Sequence, residues 1–223
     1  MNGEWLPQFL QFLFSGITVG AAYALAALGF TLIYNASNVI NFAQGEFIML
    51  GGMLTVFFLQ SGMPMPVAVL LAIFIPALVG ILIEKLAIEP ARNAEVTTLI
   101  IITIGASLVI RGVVQIFLGK GTHSFPAFSG SEPIVIAGAT LLPQSLWVLG
   151  VAALVVAGLG WFFSRTLMGK AILATSYNRL AAQLVGINTS RVLFISYALS
   201  GALGAIGGIL LDRKSVVLGK SVD

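Results

Sequence analysis

Four polar residues inside long apolar runs are best placed to take part in chemistry in this chain. Asn41, Gln44 and Glu46 lie within six positions at the start of one apolar run, and Arg111 lies inside another. The helix dipole stabilises a carboxylate near a helix N-terminus, so Glu46 fits a helix start. The group predicts either a cap with inter-helix hydrogen bonds or a role in gating or passing a solute. For Arg111 the sequence leaves three alternatives open: pairing with Glu46, contact with a helix C-terminus, or extension to an aqueous surface.

Metal, redox and nucleotide chemistry have little support in the sequence. The chain has no cysteine and one histidine, His123, so it lacks the residues of a thiolate or His-pair metal site. We expect His123 to be a solvated residue in a connection. Gly219-Lys220-Ser221 resembles the end of a phosphate loop, but Lys214 stands where that motif needs a glycine. We therefore expect no metal site, no cofactor in this chain and no enzymatic activity.

The composition places these residues in a membrane protein. Charged residues make up 9% of the chain and hydrophobic residues 58%, with a mean hydropathy of +1.05. Soluble domains carry roughly 25% charged residues, so a water-facing globule would lack polar surface. The run from Trp5 to Gly45 has no Asp, Glu, Lys or Arg and is about twice the ~20 residues that cross a bilayer as a helix. A nucleic-acid partner is not expected, because the net charge of +3 is small and the lysines and arginines are scattered along the chain.

The apolar runs predict an all-α, polytopic helical membrane protein with about six spans. Prolines and glycines interrupt the runs and set most boundaries. The second span differs from the others, because polar residues in its first half predict an end that is buried in protein rather than lipid. The predicted spans are 6–34, 39–59, 67–83, 96–118, 146–163 and 192–211.

The distribution of lysine and arginine predicts the orientation of these spans. The connections after spans one, three and five hold six bases, whereas the opposite connections hold only Lys120. Cytoplasmic loops carry the excess of positive charge, so the N-terminus is predicted outside. Residues 212–223 break the pattern, since they hold five charges and would emerge outside. We expect this tail to be non-native and the membrane domain, residues 1–211, to be incomplete at its C-terminus.

Small residues recur at four-residue spacing on two predicted spans. One stripe is Gly16, Gly20 and Ala24, and the other is Ser196, Ser200, Gly204 and Gly208. Such stripes allow close approach of helix backbones in lipid. They predict packing within the bundle, with the lining of a solute path as the alternative.

The connection from Ser164 to Arg191 predicts two short helices on the base-rich side. The first covers 170–175 and the second 177–185, after which Gly186 gives a stop signal and Asn188, Thr189 or Ser190 can cap the next span. Leu180, Leu184 and Ile187 recur at i, i+4 and i+7, with Arg179 and Gln183 on another face. This amphipathic helix is predicted either to rest on lipid headgroups or to dock into a groove of a soluble partner.

Three stretches of the sequence carry a family resemblance. They are Gly20 to Thr31 leading to the Asn-Phe-Ala-Gln-Gly-Glu stretch at 41–46, Glu89 to Arg92 leading to 103–107, and Ala181 to Asn188. Together they resemble the membrane-spanning permease subunit of bacterial branched-chain amino acid ABC transporters, the LivH type. The resemblance covers residues 8–211, and the stretch at 41–46 is its most specific part.

The resemblance implies a function and a set of partners. The chain would form the translocation pathway of an ATP-driven importer in the bacterial inner membrane, beside a second, homologous permease. Cytoplasmic ATPase subunits would bind ATP, and an extracytoplasmic binding protein would deliver the solute. The connection between spans five and six would be the coupling loop to the ATPase, with the residues Asn178, Arg179, Ala181, Ala182, Gly186, Ile187 and Asn188.

Three other functions have less support in the sequence. Related permeases carry urea or short amides, and no residue here separates those solutes from leucine, isoleucine and valine. An ion-coupled secondary transporter would be expected to show several intramembrane acids and an inverted repeat, whereas Glu46 is the only acid within a predicted span. An intramembrane serine enzyme would need a histidine on another span, and His123 lies outside the predicted spans.

Overall fold

The computed structural model describes residues 5–118, 134–136, 139–141 and 143–211. These residues form eight α-helices, one π-helical turn and a small antiparallel hairpin. His123 and residues 212–223 lie outside the described residues, so the expectations for them stay predictions. In chain order the elements are α1 Trp5–Ser37, α2 Gln44–Gln60, α3 Met65–Ile83, the π-helical turn Glu84–Ile88, α4 Val96–Leu118, β1 Ile134–Ile136, β2 Ala139–Leu141, α5 Pro143–Arg165, α6 Leu167–Tyr177, α7 Arg179–Leu184 and α8 Thr189–Leu211.

Five of these helices are long and apolar enough to cross a membrane: α1, α3 with its π-helical turn, α4, α5 and α8. They confirm the prediction of a polytopic helical membrane protein, and α4 has the predicted bounds. The predicted second span differs from expectation, because α2 begins at Gln44 rather than near residue 39 and has 17 residues. At 1.5 Å per residue it is roughly 26 Å long, which is shorter than a ~30 Å hydrocarbon core.

Helix α8 lies at the centre of the bundle and packs extensively against α1, α2 and α3. Its glycines permit this packing. A Cβ on Gly208 would collide with the Ile48 carbonyl of α2, and a Cβ on Gly201 would collide with the Pro76 carbonyl of α3. Ser196 and Ser200 are fully buried. The small-residue stripe of α8 is therefore a packing surface within this chain, as the first alternative predicted.

The stripe on α1 behaves differently. Gly16, Gly20 and Ala24 are exposed, and a Cβ built on either glycine would meet no described atom within 4 Å. The part of the chain that the structure describes therefore does not use this stripe for packing. On the same helix, the Gln11 Oε1 accepts hydrogen bonds from the Thr140 backbone N and Oγ1 at 2.8 and 3.0 Å. These bonds hold the β1–β2 hairpin against α1.

Candidate functional site

The candidate site is built around an interruption between α1 and α2. Asn38 ends α1 in the left-handed region, with φ of +56°, a conformation that asparagine adopts more readily than most residues. Residues 39–43 then run without regular structure, and their side chains alternate between buried and exposed. Two side chains accept hydrogen bonds from the backbone of this segment. Asn41 Oδ1 accepts from the Ala43 N at 3.1 Å, and Thr103 Oγ1 of α4 accepts from the Phe42 N at 3.2 Å.

Contacts with α4 and α8 place the start of α2 near mid-depth in the bundle. Glu46 contacts Ser107, which lies 11 residues after Val96, and Gln44 contacts Ser200, which lies 11 residues after Thr189. Each contact is therefore roughly 16 Å from the end at which α4 or α8 begins, about half of a ~30 Å core. Irregular backbone at such a depth is tolerated where protein buries it or where it lines a water-filled cavity.

Glu46 and Arg111 form an ion pair at this level. The Arg111 Nη2 donates to Glu46 Oε1 at 2.6 Å, and the Ser107 hydroxyl donates to the same oxygen at 2.8 Å. Pairing with Glu46 is thus the alternative that the structure selects for Arg111. The Glu46 side chain is 4% exposed and that of Arg111 is 56% exposed. The buried carboxylate anchors a guanidinium whose outer side faces away from the bundle core.

Gln44 joins α2 to α8 and α1. The Ser200 hydroxyl lies within hydrogen-bonding distance of both Gln44 Oε1, at 2.5 Å, and the Gly29 carbonyl, at 2.7 Å. A Cβ on Gly29 would collide with the Gln44 amide and lie 3.2 Å from the Ser200 carbonyl, so glycine at this position leaves room for the Gln44 side chain. All three residues are buried. The predicted polar group at 41–46 therefore makes inter-helix hydrogen bonds as well as the ion pair.

Two buried polar atoms near this level have no hydrogen-bond partner among the described residues: Asn41 Nδ2 and Tyr197 Oη. Asn41 is 2% exposed and Tyr197 is fully buried. A buried donor without a partner costs about 1–3 kcal/mol, so such atoms are uncommon in a rigid packed core. The polar layer around the break, which includes Asn41, Gln44, Glu46, Arg111 and Tyr197, therefore keeps two buried polar atoms without hydrogen bonds to described residues.

The polar layer at the break also includes Thr103 and Ser107, which were not predicted as site residues. Both share one face of α4 with the predicted Arg111 at four-residue spacing, and that spacing was a signal available in the sequence. Glu84 was also missed, because the span was predicted to end at Ile83. The helix continues through a π-helical turn, where Glu84 is 2% exposed and borders a cavity of about 280 Å³. The candidate span Met65–Ile88 includes Glu84, so Glu46 is not the only acid within a span, which corrects the expectation.

The predicted helices of the α5–α8 connection are present as α6 and α7. Asn178 caps α7 by accepting from the Ala181 N at 3.0 Å, and Asn188 caps α8 by accepting from the Arg191 N at 3.1 Å. Gly186 ends α7 with φ of +86°. The Ile187 N donates to the Ala182 carbonyl, which completes a Schellman C-cap. The stop signal is thus confirmed, and among the three cap candidates the structure selects Asn188.

Helix α7 is fixed to α8 on one side and exposed on the other. Ala182 is 3% exposed, and the Gln183 Nε2 donates to Thr189 Oγ1 at 2.9 Å. Leu180 is 73% exposed and Leu184 is 88% exposed. Leu180 and Leu184 of the predicted apolar face therefore do not pack on the described residues, which leave them free to contact lipid or a partner. Ile187, the third residue of that face, instead packs against the buried cluster that includes Ile172 and Val192.

The sequence was compared with protein families and characterised proteins. Residues 12–217 match the family described as branched-chain amino acid transport system, permease component. The chain is 31% identical to the high-affinity branched-chain amino acid transport system permease LivH of Salmonella typhimurium, over 94% of this chain and 72% of the relative. It is 26% identical to the corresponding permease BraD of Pseudomonas aeruginosa, over 96% and 74%.

More distant matches extend beyond amino acid permeases. The fructose import permease FruF of Bifidobacterium longum is 27% identical over 85% of this chain, which spans about half of that relative. No solved structure matches the chain.

Proposed function

The chain belongs to the family of branched-chain amino acid transport system permease components, and from that premise we propose that it forms the translocation pathway of an ATP-driven importer. The proposed solutes are leucine, isoleucine and valine, the class named for the LivH and BraD relatives. The proposed location is the bacterial inner membrane. This chain supplies the membrane path and a docking loop for the ATPase, the predicted coupling loop at residues 178–188, while separate subunits bind ATP.

The break between α1 and α2 is the observation that carries this proposal. It brings Asn41, Gln44, Glu46 and Arg111 to one level about halfway through the bundle. A charged group this deep in a membrane protein faces the bundle interior or water rather than hydrocarbon. The exposed side of Arg111 therefore marks the surface that lines the pathway, and Glu46 and Ser107 hold the guanidinium in place.

A chain of contacts supports coupling between the docking loop and the break. Gln183 of α7 bonds to Thr189 at the start of α8, and Ser200 of α8 bonds to Gln44 at the start of α2. A displacement of α7 would move α8, and α8 would carry that movement to the polar layer. Two alternative packings of α8 against α2 would open the path to either side in turn.

The remaining partners follow from the proposed importer. A second, homologous permease completes the pathway, and an extracytoplasmic binding protein delivers the solute. One ATPase subunit docks on α7 of this chain and a second docks on the partner permease, and these two subunits bind the ATP. One of the matched relatives is named as a fructose permease, whereas LivH and BraD are named for branched-chain amino acids. Transport measurements must therefore include solutes other than amino acids.

The docking loop can be tested with two matched variants. Leu184 of α7 and Leu167 of α6 are both 88% exposed, so arginine is tolerated at either position without loss of a core contact. We expect Leu184→Arg to abolish co-elution of the chain with the ATPase subunit of its transporter. Leu167→Arg should leave co-elution unchanged. Equal co-elution of both variants would contradict the assignment of α7.

Transport itself is measured with the complete importer in proteoliposomes that contain ATP and the binding protein. The expected result is ATP-dependent uptake of labelled leucine, with little uptake of fructose or urea. Uptake driven by an ion gradient without ATP would instead identify a secondary transporter. Preferential uptake of urea would keep the importer mechanism and change the solute.

A further inference from the structure

A cavity of about 300 Å³ opens between two connections of the bundle. Its lining comes from the turn before α4, from α7 and from the first residue of α8. The lining residues are Arg92, Asn93, Arg179, Leu180, Gln183 and Thr189. The cavity thus joins two connections that are distant in sequence, and it lies beside the docking loop.

The cavity has a positive lining that the described residues do not neutralise. Arg92 and Arg179 contribute two guanidinium groups, and no acidic residue lines the cavity. Within residues 5–118 and 143–211, the ion pair that the structure shows is the distant one of Glu46 and Arg111. Arginine forms paired hydrogen bonds with carboxylates and phosphates, so two arginines facing one space favour an anionic group there.

The position of the cavity favours a protein over a lipid as the source of that anion. Thr189 begins α8, which is enclosed by α1, α2 and α3. The cavity therefore borders the central helix of the bundle, whereas lipid headgroups are expected around the perimeter of the bundle. Leu180 lines the same cavity and is 73% exposed, which adds an apolar contact beside the two charges. Apolar contact flanked by arginine is typical of protein interfaces.

We infer that this cavity receives a carboxylate side chain from the ATPase subunit, held between Arg92 and Arg179. The inference rests on the proposed function, because it needs an ATPase docked at α7. It adds a second contact region, the turn before α4, to the docking loop. The ATPase would then hold the α3–α4 connection and α7 together, so both move as it closes.

The test measures binding of the purified ATPase subunit to the complete permease in nanodiscs of phosphatidylcholine. Each single variant, Arg92→Ala or Arg179→Ala, is expected to weaken binding about tenfold. The double reversal Arg92→Glu with Arg179→Glu is expected to weaken it about a hundredfold. Raising NaCl should weaken binding of the wild type more than that of the variants, because salt screens the charge pairs.

The matched control reverses two bases at the same end of the bundle that do not line the cavity, Arg165→Glu with Lys170→Glu. This control should bind nearly as tightly as the wild type.

If wild type binds and Leu184→Arg does not, yet the cavity variants bind like wild type, the inference is wrong and the proposed function stands. Failure of wild type to bind would overturn the proposed function itself. If the cavity variants lose only an effect of added phosphatidylglycerol, the anion is a lipid headgroup and the inference is also overturned.

Discussion

The unequal exposure of Glu46 and Arg111 predicts unequal effects when either partner is removed. Glu46 is 4% exposed, so in Arg111→Ala its carboxylate stays buried without its cation. Arg111 is 56% exposed, so in Glu46→Gln the guanidinium can be solvated on its open side. The glutamine also keeps an oxygen that can accept from Ser107. Loss of the arginine should therefore destabilise the protein more than neutralisation of the glutamate.

The magnitudes follow from the environment of each group. Removing one partner of a buried ion pair costs about 3–5 kcal/mol, and the lower value applies here because Arg111 is half exposed. We expect Arg111→Ala to lower the free energy of unfolding by about 3 kcal/mol. For Glu46→Gln we expect about 1 kcal/mol, the value of one weakened hydrogen bond. The double variant has no uncompensated charge, so it should regain about 1–2 kcal/mol relative to Arg111→Ala.

The assay is reversible unfolding of the purified chain in mixed detergent micelles, followed by circular dichroism for wild type and the three variants. Gln115→Ala is the control, because Gln115 is exposed one turn further along α4 and should change stability by less than about 0.5 kcal/mol. An effect of Glu46→Gln equal to or larger than that of Arg111→Ala would refute the reasoning. That result is expected if the exposed guanidinium faces hydrocarbon, where its counter-ion would be indispensable.

Three further substitutions test the packing and the caps by the same unfolding assay. Gly208→Ala places a Cβ against a backbone carbonyl of α2 and should cost about 2–3 kcal/mol, whereas Gly150→Ala, where a Cβ meets no described atom within 4 Å, should be neutral. Gly186→Ala forces alanine to a φ of +86° and should cost about 1 kcal/mol. Thr103→Val removes the acceptor for the Phe42 N and should cost about 1–2 kcal/mol; no change would mean that water replaces it.

Local features of the fold were predictable because their causes are local. The apolar run of α4 predicted both ends of this helix, at Val96 and Leu118, as the structure has them. Gly186 and Asn188 act through the backbone of their immediate neighbours; the structure confirms the predicted stop and selects Asn188 from the three predicted cap candidates. A hydrophobic run, a left-handed turn and a side-chain cap depend on a few adjacent residues, so the sequence carries them directly.

The start of α2 could not be predicted in the same way. Residues 39–43 are mostly apolar and continue the hydrophobic pattern of a span. They remain non-helical because Thr103 of α4 satisfies the Phe42 N and because alternate side chains are buried by neighbouring helices. Those partners are about 60 residues away in sequence. No local signal distinguishes this arrangement from a helix that simply begins earlier.

The sequence by itself determined that the chain lies in a membrane. It also determined the positions at which most of the helices begin and end, and the residues that are too polar to be ordinary parts of a span. Tertiary structure alone decided that Arg111 pairs with Glu46, that the stripe of α8 is packed while that of α1 is exposed, and that Arg92 and Arg179 line one cavity. The physical reason is the distance along the sequence over which each effect acts. Hydrophobicity and backbone preferences act over a few residues, whereas the partner of a charge or a glycine depends on which helices are neighbours.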